Sequence, residues 1–207
     1  MNYESYWLDG MGLHSSQLKH LEKIITENGI KTIVEFGSGN STKFFVDLRE
    51  EKNLNYKIYS FDNYEHYAYK GTHDFLKLNI SEIINCSDES FNEMFETKTY
   101  NKDKFVNCQI EKDNFRVENS FYDITSDDLP DNIDLVLLDG PNGNGRSISF
   151  LHLQNKLSEK SFILIDDSDH HDFIERCQQV LDAGVIIHEK DSTVHPLFNY
   201  AIMEVQS

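Results

Sequence analysis

Two groups of residues in this chain have the types and spacing to do chemistry. The first is Glu35-Phe36-Gly37-Ser38-Gly39-Asn40-Ser41-Thr42, where an apolar run stops at an acid, turns through Gly-Ser-Gly and leaves on small amide and hydroxyl residues. The second is a set of acids that end other apolar runs: Asp62 after "YSF", Asp139 after "LVLL", and Asp166-Asp167 after "FILI". Arg146 follows soon after Asp139, and His170 and His171 follow soon after the acid pair.

Glycine lets the backbone take positive φ and lets a ligand approach closely. A dinucleotide site would use G-x-G-x-x-G to aim a helix N-terminus at a pyrophosphate. Here Thr42 holds the third glycine position, and Glu35 stands just before the first, where a carboxylate suits an ammonium group better than a pyrophosphate. Asp62, at the end of the next apolar run, is placed to accept hydrogen bonds from both hydroxyls of a ribose. A ribose carrying a cationic amino acid, without a diphosphate, describes S-adenosylmethionine. The expected cofactor contacts are Glu35, Gly37, Ser38, Gly39, Asn40, Ser41, Thr42, Asp62, Asn63 and Asp139. A glycine turn that serves packing alone is the plain alternative.

The remaining acids suggest what is done to such a ligand. Methyl transfer from a sulfonium is an in-line displacement, and an acceptor hydroxyl must lose its proton as it attacks. Asp139, Asp166 and Asp167 together would hold a hard cation such as Mg²⁺ or Mn²⁺, which lowers the pKa of a bound hydroxyl. Without a metal, one acid is protonated and the acids serve as the base, or His170 or His171 takes the proton. Asp139, Asp166, Asp167 and His170 are therefore the candidate catalytic residues, and Arg146 and His171 the candidate acceptor contacts. Arg146 suits an anionic substrate group or the tying down of its own turn. Asp167 as a helix cap and the histidines as solvated loop residues are the plain alternatives.

These residues need a frame that brings strand ends together. "SSQLKHLEKIITENG" predicts a helix capped by Ser15 or Ser16, with Leu18, Leu21, Ile24 and Ile25 on one face and Gly29 at its end. "KTIVEF" and "YKIYSFD" predict strands, with "STKFFVDLREE" as a helix between them. "IDLVLLDGP" and "SFILIDDSDHHD" read as parallel strands covered on both faces, and "GRSISFLHLQNKLSEK" supplies a helix between those. "DFIERCQQVLDAG" predicts a helix with Asp172 and Glu175 placed as a capping box. "GVIIHEK" and "NYAIMEV" read as closing strands around the loop "DSTVHPLF". In the variable middle segment, residues 66–130, "INCSDESFNEMFETKTYNKD" predicts helix and loop, and "FVNCQIEKDNFRVENSFYDI" a hairpin turning near Asp113-Asn114. Alternating strands and helices imply an α/β sheet, whose ligands sit beyond the carboxyl ends of the strands.

Composition bounds the rest. The chain has 207 residues, 39% of them hydrophobic, which suits one domain over residues 1–207 with an N-terminal arm and helix over residues 1–31. The formal net charge of -17 argues against general nucleic-acid binding and against anionic membranes. No apolar run approaches the roughly 20 residues of a membrane helix. Cys86, Cys108 and Cys177 form no CxxC pattern, and "MNYESYWLDGMGLH" lacks the features of a signal peptide. The expectation is a soluble, reduced, cytoplasmic protein acting on a small molecule, with no feature that sets an oligomeric state. Tyr3, Tyr6 and Trp7 form an aromatic N-terminal arm that reads as a packed extension, with a lid over the substrate cleft as the alternative, and the stretch His195 to Phe198 is a candidate rim of the acceptor pocket.

"VEFGSGNST", "YSFD", "LVLLDGPNGNGR" and "FILIDDSD" resemble the ordered motifs of class I S-adenosylmethionine-dependent methyltransferases, from about Thr32 to Val205. The resemblance implies a Rossmann-like seven-stranded sheet with the last strand antiparallel and helices on both faces. It also implies that Glu35 to Gly39 hold the methionine part and Asp62 the ribose. "DGPNGNGR" followed by "IDDSDHHD" is similar to glucuronoxylan 4-O-methyltransferases and related polysaccharide-tailoring or small-molecule-tailoring enzymes, which implies a hydroxyl acceptor on a sugar or glycan precursor. Asp139 with Asp166-Asp167 is similar to the metal site of catechol O-methyltransferase-like enzymes, with Asp-Asp where those have Asp-Asn. Two rival readings stand beside this one. An NAD- or nucleotide-sugar-dependent enzyme would need a phosphate-gripping base near residue 42, where Lys43 is the only candidate. A non-catalytic cofactor-binding module would leave the strand-end acids unexplained.

Overall fold

The strand-and-helix alternation builds a seven-stranded sheet. The computed structural model describes residues 1–6, 12–108, 117–190 and 199–206. In chain order the elements are α1 (Ser15–Asn28), β1 (Thr32–Phe36), α2 (Asn40–Glu51), β2 (Lys57–Asp62), β3 (Leu76–Ile80), β4 (Ile83–Asn85), α3 (Asp88–Thr97), β5 (Val106–Asn107), β6 (Ser120–Tyr122), β7 (Ile133–Leu138), α4 (Ile148–Leu153), β8 (Leu157–Asp166), α5 (Phe173–Leu181), β9 (Gly184–Lys190) and β10 (Asn199–Gln206). The large sheet has the order β3-β2-β1-β7-β8-β10-β9. β1, β2, β3, β7 and β8 run parallel, and β10 is antiparallel to both β8 and β9. The fold is thus the Rossmann-like methyltransferase sheet, with the final strand reversed.

Side chains alternate across a strand, so each strand feeds two cores. Ile33, Ile58, Leu135, Leu137, Leu164 and Ile202 meet Leu18, Leu21, Phe44, Phe45 and Leu48 of α1 and α2 on one face. Val34, Phe36, Val136, Leu138, Ile163 and Ala201 meet Phe91, Phe95, Phe150, Phe173 and Cys177 of α3, α4 and α5 on the other. Burial on both faces is what makes these strands read as continuous apolar runs. After β1 the chain steps outward to β2 and β3, and it returns to the other side of β1 as β7. The sheet therefore reverses direction of growth between β1 and β7, where ligands of such sheets bind.

Several expectations need correction. α1 is capped by His14, not by Ser15 or Ser16: the His14 ring accepts from Ser16 N at 3.4 Å, and Gln17 Oε1 accepts from His14 N at 2.7 Å. Gly29 does end the helix, at φ 66°. α5 begins after Asp172, but no side chain caps it, so no capping box forms. The helix between β7 and β8 is short, because Leu157 to Lys160 already belong to β8. The expected hairpin arms are not partners: β5 and β6 flank β4 in a separate three-stranded antiparallel sheet. Asp113-Asn114, Trp7 and the His195 to Phe198 stretch lie outside the described residues. Of the two readings of the N-terminal arm, Tyr6 follows the packed extension: it lies edge-on to Phe44 at 5.6 Å with its hydroxyl donating to Asp47 at 2.7 Å.

Candidate active site

The glycine turn after β1 and the turn after β7 are built against each other. Phe36 pairs with Leu138, and the Phe36 carbonyl accepts from both Asp139 N (2.9 Å) and Gly140 N (2.6 Å). Gly37 N donates across to Phe61 O of β2 at 2.8 Å. Gly37 has φ +103°, and a Cβ there would sit 2.9 Å from Gly140 N and 3.1 Å from the Asp139 carbonyl carbon. The glycine is therefore required by backbone contact between two strand ends, before any ligand arrives.

Glu35 does not border the cleft that lies above this turn. It is 0% exposed, and its two carboxylate oxygens accept from the hydroxyls of Ser41, Thr42 (2.5 Å) and Ser60 (2.7 Å). Burial pushes its pKa up to about 7 against the pull of those three hydroxyls. Thr42 also accepts from Gly39 N at 3.0 Å, and its hydroxyl lies 3.0 Å from that of Ser38. Glu35 thus fastens the start of α2 beneath the glycine turn, and its carboxylate is consumed there.

Above the turn lies a cleft of about 400 Å³, a size that accepts one small molecule. Of the predicted cofactor contacts, Gly37, Ser38, Gly39, Asn40, Ser41, Asp62, Asn63 and Asp139 border it; Glu35 and Thr42 do not. Asp62 is 7% exposed, and its carboxylate accepts from Ser38 N (2.8 Å) and Tyr64 N (2.6 Å). Burial raises its pKa, and the backbone N–H groups of Tyr64, Ser38 and Asn63 oppose the rise. A carboxylate has about four lone-pair sites, so Asp62 keeps acceptor capacity toward the cleft. Gly12, Tyr64, His66, Tyr67, Tyr122, Gly140, Pro141 and Asn142 complete the wall without having been singled out. A signal for three of them is present in "NYEHYAY", an aromatic stretch directly after the Asp62 strand end. None marks Tyr122, which enters from the middle segment.

The acid cluster assembles as the sheet order requires. Asp139 and Asp166 stand at the ends of the neighbouring strands β7 and β8. Burial raises both pKa values. For Asp166, Asp139 and Asp167 add to the rise; for Asp139, Arg146 opposes it. Gln17 of α1 donates to Asp166 Oδ1 at 2.6 Å. Arg146 is the positive charge among these acids. Only 3% exposed, it donates from Nε to Pro141 O (2.9 Å) and from Nη1 to Asp166 O (3.1 Å), and it pairs with Asp167 at 3.6 Å. It ties down the turn and does not reach out to an anionic substrate. Asp167 also faces His170 Nδ1 at 3.7 Å and does not cap α5.

The donors left by this arrangement do not fit a divalent cation. Asp166 Oδ1 is taken by Gln17, and a guanidinium already compensates Asp167. Among the described residues, no group of three His, Cys, Asp or Glu side chains is arranged to hold a metal. His170 and His171 do not border the cleft; they line a separate cavity. Among the described residues, no helix is long and apolar enough to cross a membrane.

The sequence matches a family model described as a methyltransferase domain over residues 34–168, well over half of the chain. Curated proteins give no match. Similar solved structures include the O-methyltransferase TomG of Streptomyces achromogenes, involved in tomaymycin synthesis and solved in complex with S-adenosylmethionine: 11% identity, TM-score 0.56, covering 99% of this chain and 86% of that one. An O-methyltransferase from Bacillus cereus in complex with S-adenosylhomocysteine is 11% identical, with TM-score 0.53 and coverage of 99% and 87%. A putative caffeoyl-CoA O-methyltransferase from Staphylococcus aureus is 11% identical, with TM-score 0.53 and coverage of 95% and 86%. At these identities the likeness is one of fold.

Proposed function

The chain belongs to the methyltransferase-domain family, and on that premise we propose that it transfers a methyl group from S-adenosylmethionine to a hydroxyl of a small acceptor, a sugar or glycan precursor. The observation that carries this reading is the cleft where Gly37 to Ser41 meet Asp62 and Asp139. When bound, S-adenosylmethionine supplies an electrophilic methyl on a sulfonium. Asp62 would accept from the ribose hydroxyls through the lone pairs that Ser38 N and Tyr64 N leave free. The N-terminus of α2 would meet the amino-acid carboxylate. Asp139, the one other acid in the cleft wall among the described residues, would take the place beside the ammonium that the sequence alone assigned to Glu35.

In the transfer, an acceptor oxygen forms a bond to the methyl carbon, the carbon–sulfur bond breaks, and the electron pair stays on sulfur. The acceptor proton passes to the carboxylate of Asp139, which borders the cleft. No step is assigned to a divalent cation, because the donor set does not fit one. The experiment is transfer of a labelled methyl group to hydroxylated acceptors, with and without chelator. An alkali-stable methyl ether formed in the presence of chelator is the expected product. Label appearing only as an alkali-labile ester would overturn hydroxyl transfer, and loss of activity restored by Mg²⁺ or Mn²⁺ would overturn the carboxylate route.

A further inference from the structure

A second cavity of about 400 Å³ lies between α3, the loop after β7 and the start of α5. The two share the loop after β7: Asn142 borders the first and Asn144 the second. They are also joined through the acid cluster. Asp139 borders the cleft at the end of β7, and at the end of neighbouring β8 Asp167 faces His170, which borders the second cavity. We propose that this second cavity holds the methyl acceptor, and that the acceptor is a polyhydroxylated molecule of about the size of a sugar. The proposal rests on the methyl-transfer reading of the first cleft.

Space argues for it first. The cleft above Gly37 has room for one small molecule, so the acceptor needs a place of its own within reach of the same strand ends. The lining argues next. Asp88, Asn92, Asn119, Asn144, His170 and Arg176 all contribute, and among the described residues Phe91 is the single apolar wall. Side-chain amides present donors and acceptors side by side, which matches hydroxyls that both give and receive hydrogen bonds. A flat aromatic acceptor would find little apolar surface to cover.

The wall is also held in place in advance, as a site for a flexible polar ligand needs to be. Asn119 and Asn144 bond reciprocally: Asn119 N donates to Asn144 Oδ1 and Asn144 Nδ2 to Asn119 Oδ1, both at 2.7 Å. Asn119 Nδ2 donates to Asp88 Oδ1 at 2.6 Å. Arg176 donates to Asn92 Oδ1 at 3.0 Å and lies 4.5 Å from the Phe95 ring centroid. Gly145 is packed so tightly on Ser120 that a Cβ would fall 1.9 Å from the Ser120 carbonyl oxygen. The middle segment and the loop after β7 thus form one continuous acceptor wall, which gives that segment a function.

The test uses saturation-transfer NMR on the whole chain with S-adenosylhomocysteine present. Glucose, glucuronic acid, galactose and N-acetylglucosamine are the probes, and catechol is the aromatic comparison. At least one sugar should receive saturation. Asn92→Trp, at an exposed rim position, should weaken it by roughly tenfold or more, with S-adenosylhomocysteine affinity unchanged. Should that variant fail to fold, Arg176→Ala should weaken the sugar in the same direction. Sugar binding unaltered in the folded variants, no sugar bound at all, or preference for catechol would each overturn the proposal while cofactor binding stands. Failure of the wild-type chain to bind S-adenosylhomocysteine is a different result; it removes the methyl-transfer reading, and this proposal with it.

Discussion

Replacing Gly37 by alanine should damage stability and cofactor binding together. Two costs can be worked from the structure. The backbone sits at φ +103°, where an L side chain is strained by on the order of 1–3 kcal/mol. The new Cβ would stand 2.9 Å from Gly140 N, a backbone atom that cannot swing away, so the β7 turn must shift at an overpacking cost of about 1–3 kcal/mol. The sum, roughly 2–6 kcal/mol, is a large share of a typical stability of about 5–15 kcal/mol. At about 2–4 °C per kcal/mol for a chain of this size, the melting temperature should drop by roughly 8–16 °C at the middle of that range. The shift also moves Asp139 and Gly140, which border the cleft, so S-adenosylhomocysteine affinity should fall. Gly29→Ala is the control: φ is also positive, at +66°, but a Cβ there meets nothing within 4 Å. It should cost only about 1 kcal/mol and leave binding intact. Scanning calorimetry and titration calorimetry on the two variants decide the matter. A Gly37→Ala protein that melts and binds like wild type, or a Gly29→Ala protein that loses as much, would refute the reasoning.

Three further outcomes are expected. Asp62→Ala removes the acceptor for Ser38 N and Tyr64 N as well as for a ribose, and should weaken S-adenosylhomocysteine by roughly 1.5–3 kcal/mol in titration calorimetry; unchanged affinity would place the ribose elsewhere. His152 is 1% exposed against Tyr100 and Phe121, and burial lowers its pKa from 6.5 to about 4. A base held neutral in the fold stabilises fully above its unfolded pKa. That contribution, about 3 kcal/mol at about 1.4 kcal/mol per pKa unit, is lost as pH falls from 6.5 to about 4. Urea melts should therefore show a shallower acid decline for His152→Phe than for wild type, and parallel profiles would contradict the burial argument. Glu35 has the opposite sign: its raised pKa makes the wild-type chain lose stability as pH rises from 4.5 to about 7. Asp62, Asp139 and Asp166, also raised, add slope of the same sign, so in Glu35→Gln the decline should become shallower across that window, and a decline as steep as in the wild type would contradict the burial of Glu35.

The parts legible in the sequence are those where local pattern and tertiary role coincide. "KTIVEF", "IDLVLLDGP" and "SFILIDDSDHHD" announced central strands because burial on both faces removes polar alternation, and their ends fixed where Asp139 and Asp166 had to meet. β3 gave no such signal: it is an edge strand, and its Leu76 and Leu78 are only half-buried. The β5-β4-β6 sheet was unreadable because its pairing is non-local and its strands are two or three residues long. At the site, spacing located the glycine turn and Asp62 but not the direction of Glu35. A carboxylate two residues before a glycine turn can face a ligand or the hydroxyls behind it, and only the positions of Ser41, Thr42 and Ser60 decide. The role of Arg146 was likewise open until the Pro141 and Asp166 carbonyls were seen to receive it. The compensating charge among three acids turned out to come from within the chain.

The most direct test of the central claim is titration calorimetry of the whole chain with S-adenosylhomocysteine, run beside NADH and UDP-glucose. In the proposed binding mode the cleft between the Gly37 turn and Asp62 offers acceptors to a ribose and a helix N-terminus to a carboxylate, and among the described residues no Lys or Arg borders it. S-adenosylhomocysteine should therefore bind at one site per chain, and Asp62→Ala should weaken it, while NADH and UDP-glucose give no measurable heat. Binding of NADH or UDP-glucose with none of S-adenosylhomocysteine would contradict the account.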